Sequence, residues 1–222
     1  AACGERVWPV AYPAPREFAA RAVEGMWREL GGKLTGSVRE GKVPAGLKPA
    51  FVSTSPALAE VVRDVNKYSN NVMAQHVFLT LARQKNGVAT LDGARETLRQ
   101  WWQARLADVD APAPDNGAGL SRDARITAQA LARMLQAAWA SPVMPELVAS
   151  LPIAGVDGTL RRSQSRSAAH LKTGSLRDVM AVGGYVHAQS GRRYVLVAIV
   201  NHPNANAARP VLDALTDWAA KD

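Results

Sequence analysis

Lys172-Thr173-Gly174, inside the stretch HLKTGSL, sets an ammonium, a hydroxyl and a bare backbone side by side where a run of strand-forming residues begins. A lysine supplies fixed positive charge, a threonine hydroxyl donates to a carboxylate, and a glycine removes the side chain where another backbone must come close. Together they can seat the C-terminal end of a peptide lying along a strand edge. Taken alone, the tripeptide reads more simply as a strand start with a solvated lysine. Ser69-Asn70-Asn71 is the second feature. It interrupts two apolar helical runs where propensity gives no reason for polar residues, and such local conflicts gather at functional sites, although by itself the triplet could also be a turn.

Other reactive side chains offer less. His76, His170, His187 and His202 stand isolated from one another and from carboxylates at ligand spacing, and Cys3 is the sole cysteine, so neither a metal nor another cofactor is expected. His76 reads as a core group of an apolar helix, and His170 as a packing residue beside the strand start. Cys3 is either free or without its partner.

These residues must be held by a particular set of elements. Pro9, Pro13 and Pro15 make the N-terminus irregular; REFAARAVEGMWREL then predicts a helix with Phe18, Ala22, Met26 and Leu30 on one face, closed by Gly31-Gly32. A short strand is expected in KLTGSVRE. Ser55-Pro56 reads as a helix start, with Leu58, Val61, Val62 and Val65 facing a core and a stop near Tyr68. VMAQHVFLTLA predicts a buried central helix, and residues 91 to 107 predict another that carries Leu91, Leu98, Trp101, Trp102 and Leu106, the tryptophans for packing. APAPDNGAG is a loop, Thr127 caps a further helix, and Ser141-Pro142 starts a short one before the polar, glycine-bearing LPIAGVDGTLRR. From Ala168 the period changes. AHLKTGS, VMAVGGYVHAQ and RRYVLVAIVNH predict three strands in an antiparallel meander, and a closing amphipathic helix turns Val211, Leu212, Leu215 and Trp218 toward that sheet.

The 222 residues carry a formal net charge of +8, and 47% are apolar, an ordinary composition for a globular chain with one core in two lobes. The arginines are scattered, and the dense cluster from Arg161 to Arg166 holds no aromatic residue for base stacking, so no nucleic acid is expected as a partner. The surface instead carries a broad bias toward anions.

S-x-N followed by K-T-G is the motif order of the penicillin-recognising serine acyl-transferases. The chain resembles the C-terminal portion of a class C low-molecular-mass penicillin-binding protein, the D-alanyl-D-alanine carboxypeptidase and endopeptidase family. The resemblance is carried in order by NKYSNNVMAQHVF, DNGAGLSRDARITAQALARML, LPIAGVDGTLRR and HLKTGSLRDVMAVGGYV, and runs from about Arg16 to near the end. It implies an α+β fold of the serine β-lactamase and transpeptidase type, an antiparallel sheet flanked by helices and incomplete on its N-terminal side. All of 1–222 would then be the C-terminal part of one such domain, with a helical lobe at about 50–150 and the sheet with its covering helix at about 166–222.

Residue by residue, the resemblance implies that Ser69 relays a proton toward the leaving amine and that Asn71 hydrogen-bonds the substrate and a catalytic lysine. Lys172 would supply positive potential, Thr173 and Ser175 would hold the substrate's terminal carboxylate around Gly174, and the Ser175 backbone N–H would form half of an oxyanion hole. Tyr68-Ser69-Asn70 also fits a Y-x-N variant; with Ser69 and Asn71 preferred, Tyr68 is expected to pack. Implied partners are peptidoglycan stem peptides, β-lactams and a missing N-terminal segment of the same protein, and the implied location is the periplasm or cell envelope.

The same chemistry needs a serine with a lysine three residues later, which sets the amine beside the hydroxyl it must deprotonate. No serine of this chain has that spacing. The chain is therefore expected to be a partial sequence that cannot be acylated alone; a non-catalytic peptidoglycan-binding module is the alternative. An uncovered sheet edge predicts self-association.

Overall fold

Three runs of β-branched and aromatic residues pair as the sequence predicts: β1 (Ala169–Leu176), β2 (Val179–His187) and β3 (Arg193–Asn201) form an antiparallel sheet in the order β1-β2-β3. Lys172 lies opposite Gly183 and Thr173 opposite Val182. Lys172-Thr173-Gly174 thus sits in the middle and second half of β1 rather than at its opening. The computed structural model describes Gly4 and residues 12–222, so the expectations for Cys3 and Pro9 lie outside the described residues. The chain divides into two units, 1–54 and 55–222.

In the first unit, α1 (Pro15–Glu29) has Pro15 in its first turn, where a missing N–H costs nothing, and two i,i+4 ion pairs, Arg21 with Glu17 and Arg28 with Glu24. Its predicted apolar face is not buried: Phe18, Met26 and the following Leu30 are all more than half exposed. KLTGSVRE forms no strand, having no ladder partner among the described residues; Lys33 instead accepts a hydrogen bond from the Trp27 indole at 3.1 Å.

The second unit holds α2 (Leu58–Tyr68), α3 (Asn71–Asn86), α4 (Leu91–Arg105), α5 (Ala128–Trp139), α6 (Met144–Ser150) and α7 (Arg209–Ala220). Alternation along the strands builds a core on each face of the sheet. Leu171, Met180, Val182, Val186 and Leu196 pack with Leu212 and Ala220 of α7. On the other face Tyr185, Val195 and Val197 meet Leu131, Leu135 and Trp139 of α5 and Leu147 of α6. The buried Tyr185 hydroxyl donates to the Leu135 carbonyl at 2.7 Å, and burial pushes its pKa up to about 12. Gly184 is required where the sheet is tightest: at φ +157° a Cβ would lie 2.1 Å from the His170 carbonyl oxygen.

Several helix details differ from expectation for local reasons. Helix α2 starts two residues after Pro56, capped by Ala57, because the Ser55 hydroxyl is directed to the Pro56 carbonyl. Leu58 is exposed, and the buried residue of α2 is Lys67. Helix α3 buries only a stripe, Phe78 and Ala82, against Ala94 and Leu98 of α4; His76 is exposed, its Nδ1 2.8 Å from the Val72 carbonyl. Thr127 caps α5 as expected, accepting from the Ala130 N–H at 3.0 Å. Ser141 closes α5 by donating to Ala138 instead of opening α6. Trp102 is buried and donates to the Val109 carbonyl, while Trp101 is partly exposed. On α7, Leu212, Thr216 and Ala220 face the sheet, leaving Val211 and Trp218 in solvent. His170 and His187 are not isolated: their rings stack at 5.4 Å across β1 and β2.

Candidate active site

The turn between α2 and α3 places Ser69. Helix α2 ends at Tyr68, and Ser69 closes it in the left-handed region, φ +53° and ψ 49°, the sole non-glycine residue with positive φ among the described residues. An L-residue pays steric strain there, and such strain persists where the surroundings over-determine it. The Ser69 N–H bonds back to the Val65 carbonyl. Asn70 then caps α3, its side-chain oxygen accepting from the Met73 N–H at 3.1 Å, so Asn71 becomes the first residue of α3.

Lys172 reaches this turn from the sheet. Its Nζ donates to Ser69 Oγ at 3.1 Å and to the Thr173 carbonyl at 2.8 Å, which uses two of its three N–H groups. Burial pushes the Lys172 pKa below its ordinary value. Strand alternation sends Lys172 and Thr173 to opposite faces, yet both line one cleft, because β1 is the edge of the sheet. The cleft measures about 750 Å³, and Ser69, Asn71, Lys172, Thr173, Gly174 and Ser175 all line it. Asn70 lines it too, but its side chain is committed to the cap. Tyr68 does not pack; it is 72% exposed and does not line the cleft.

At Gly174 a Cβ would meet only the Cβ of its cross-strand partner Ala181, at 3.5 Å, an ordinary contact. Nothing among the described residues demands glycine there. Ser175 is exposed at the cleft margin. Arg162 and Arg209 also border the cleft and add positive charge, while Gly117, Gly119 and Leu120 of the 112–120 loop form another wall. That wall is set by the Gly117 N–H donating to Gln75 of α3 at 2.8 Å.

Three cleft-related residues escape a reading of the sequence alone. Lys67 Nζ donates to Asp157 Oδ2 at 2.6 Å and to the Leu151 carbonyl at 2.7 Å, tying the end of α2 to the 151–160 loop. Burial acts to raise the Asp157 pKa, but the hydrogen bonds from Lys67 and from the Ile153 N–H outweigh it and hold the carboxyl below its ordinary range. Two residues on, Thr159 Oγ1 lies 2.8 Å from Thr173 Oγ1. Lys67 lies in NKYSNNVMAQHVF, and Asp157 and Thr159 lie in LPIAGVDGTLRR, but neither stretch gives a hint of their partners.

Residues 2–222 match the D-Ala-D-Ala carboxypeptidase 3 (S13) family. The chain belongs to that family. It is 29% identical over 206 residues to the D-alanyl-D-alanine carboxypeptidase of Actinomadura sp. (strain R39), covering 87% of this chain and 38% of the relative. With carboxypeptidase DacB of Mycolicibacterium smegmatis it shares 30% identity over 187 residues, 78% of this chain and 40% of that protein. The family chain thus spans about two-fifths of the length of these curated relatives. Among solved structures, penicillin-binding protein 4 of Haemophilus influenzae, complexed with a β-lactam, superposes with a TM-score of 0.78 at 21% identity, over 93% of this chain and 52% of that one. A predatory endopeptidase of Bdellovibrio bacteriovorus superposes with a TM-score of 0.63 at 15% identity, over 96% and 63%. These likenesses establish the α+β fold, with an antiparallel sheet between helices, that the motifs imply.

Proposed function

We propose that this chain provides the substrate-holding and proton-relay part of a serine-type D-Ala-D-Ala carboxypeptidase or endopeptidase that cleaves peptidoglycan stem peptides through an acyl-enzyme. The contact of Lys172 Nζ with Ser69 Oγ at 3.1 Å carries this reading, since it joins the S-x-N and K-T-G motifs at one cleft.

The roles follow from the groups available. A stem peptide ending in D-alanine lies along the open edge of β1, where Gly174 leaves room for its backbone. Its terminal carboxylate is held by the Thr173 and Ser175 hydroxyls and attracted by Lys172, with Arg162 and Arg209 adding to the potential. The Ser175 backbone N–H contributes to the oxyanion hole. Asn71 hydrogen-bonds the substrate and a catalytic lysine. Ser69, polarised by the Lys172 ammonium, passes a proton to the leaving amine as the acyl bond breaks. β-Lactams would occupy the same seat through their own carboxylate, and an enzyme with such a substrate works in the periplasm or cell envelope.

No serine of this chain carries a lysine three residues on, which favours, for this polypeptide alone, reversible binding without acylation. Incubating the purified chain with a fluorescent penicillin should give no covalent band, while N-acetyl-D-alanyl-D-alanine should perturb the amide resonances of 172–175 in an NMR titration. A covalent adduct would overturn the first expectation, and a silent titration would overturn the peptide seat.

A further inference from the structure

Thr159 stands in the short 3-10 turn Gly158–Leu160, and its hydroxyl oxygen is 2.8 Å from that of Thr173. Two hydroxyls so placed share one hydrogen bond, in which one donates and the other accepts. If Thr173 donates, its only proton is spent, and it can offer a carboxylate nothing but lone pairs. If Thr159 donates, the Thr173 proton is free for the anion. A carboxylate arriving at Thr173 therefore selects the arrangement with Thr159 as donor, and the bond from Thr159 polarises the Thr173 hydroxyl and makes it a better donor.

The turn carrying Thr159 is fixed from outside the cleft. Asp157 accepts from Lys67 Nζ at 2.6 Å and from the Ile153 N–H at 2.8 Å. Gly158, at φ +55°, lies so close to α2 that a Cβ would fall 2.5 Å from the Lys67 carbonyl oxygen. Lys67 is two residues ahead of Ser69, so one clamp sets both the serine turn and the threonine pair.

We propose that Thr159 is a positioning residue: it orients the Thr173 hydroxyl toward the substrate carboxylate, and the Lys67–Asp157 pair latches it in place. This rests on the reading of Thr173 as the carboxylate seat. The specificity it predicts is for ligands with a free terminal carboxylate over their neutral counterparts.

The test compares binding of N-acetyl-D-alanyl-D-alanine and of its C-terminal carboxamide to the wild-type chain, Thr159→Val and Thr159→Ser by NMR titration, with melting temperatures recorded alongside. Wild type should prefer the acid. Thr159→Val should weaken acid binding roughly fivefold, as expected for losing one neutral hydrogen bond behind the carboxylate seat, and leave the carboxamide unchanged. Thr159→Ser should restore the acid preference, and all three should melt alike. Equal losses for acid and carboxamide, no loss for either, or no rescue by serine would overturn the positioning role while leaving the seat intact. A wild-type chain indifferent to the carboxylate would overturn the seat itself, and the inference with it.

Discussion

Lys172 Nζ and Ser69 Oγ lie 3.1 Å apart although 103 residues separate them in the chain. One comes from the edge of a sheet and the other from a break between two helices. Neither has a local structural need for its partner, since Lys172 on an edge strand could extend into solvent and Ser69 could close α2 as glycine.

Lys172→Met should therefore separate stability from binding. Burial holds the Lys172 pKa below its unfolded value, so carrying the charge costs stability at every pH below the folded pKa, and the cost is relieved as pH rises through it. The variant should melt at or above the wild-type temperature at pH 7, with the gap closing toward pH 10. Binding of N-acetyl-D-alanyl-D-alanine should fall roughly 10- to 100-fold, the loss of one charge-assisted hydrogen bond. A variant that melts well below wild type would show that the lysine is structural.

Ser69→Gly and Ser69→Ala distinguish strain from chemistry. Both remove the hydroxyl that accepts from Lys172, but only glycine relieves the left-handed backbone. Denaturant titration should find the glycine variant about 1 kcal/mol more stable than the alanine variant. Equal stabilities would mean that the turn is unstrained.

Asp157→Asn should lower stability by about 1–3 kcal/mol at pH 7, because it leaves the buried Lys67 ammonium without its counter-charge; the partial exposure of Asp157 keeps the loss below that of a fully buried pair. The folded pKa of Asp157 is depressed, so its contribution is complete above the ordinary value of 3.8 and is lost as pH falls through the folded pKa. The melting-temperature gap between wild type and variant should thus shrink from pH 7 to pH 3. A constant gap would exclude the ion pair as its source.

Trp102→Ala and Trp218→Ala test which tryptophans hold the fold. Trp102 is 2% exposed and Trp218 is 72% exposed. Chemical denaturation should record a loss of about 3–5 kcal/mol for the first and within about 0.5 kcal/mol for the second. Similar losses would show that α7 packs through Trp218 after all.

The meander was legible because runs rich in Val, Tyr and Ile are separated by turns such as Ser190-Gly191, and the Thr127 cap was legible from its side-chain hydroxyl ahead of an apolar helical run. Orientation was less legible. Val211 and Trp218 are as apolar as Leu212, but the close approach of α7 to the sheet is made by Thr216 and Ala220, whose small side chains carry no strong hydrophobic signal. KLTGSVRE shows the converse: β-propensity without a partner ladder gives no strand. For the site, both motifs could be read because each is contiguous. Lys67 with Asp157, 90 residues apart, and Thr159 with Thr173 are pairings set by tertiary structure, which no local pattern announces.

The division of labour at residues 69–71 leaves the break with no spare position. Ser69 terminates one helix, Asn70 initiates the next, and Asn71 is already inside it. At 3.6 residues per turn, one inserted residue within the first turn of α3 would swing everything after it by about 100° and carry Phe78 and Ala82 off their contact with α4. Length variation among relatives is therefore expected to spare this spot and to fall in loops elsewhere, a constraint arising from helical phase rather than from chemistry.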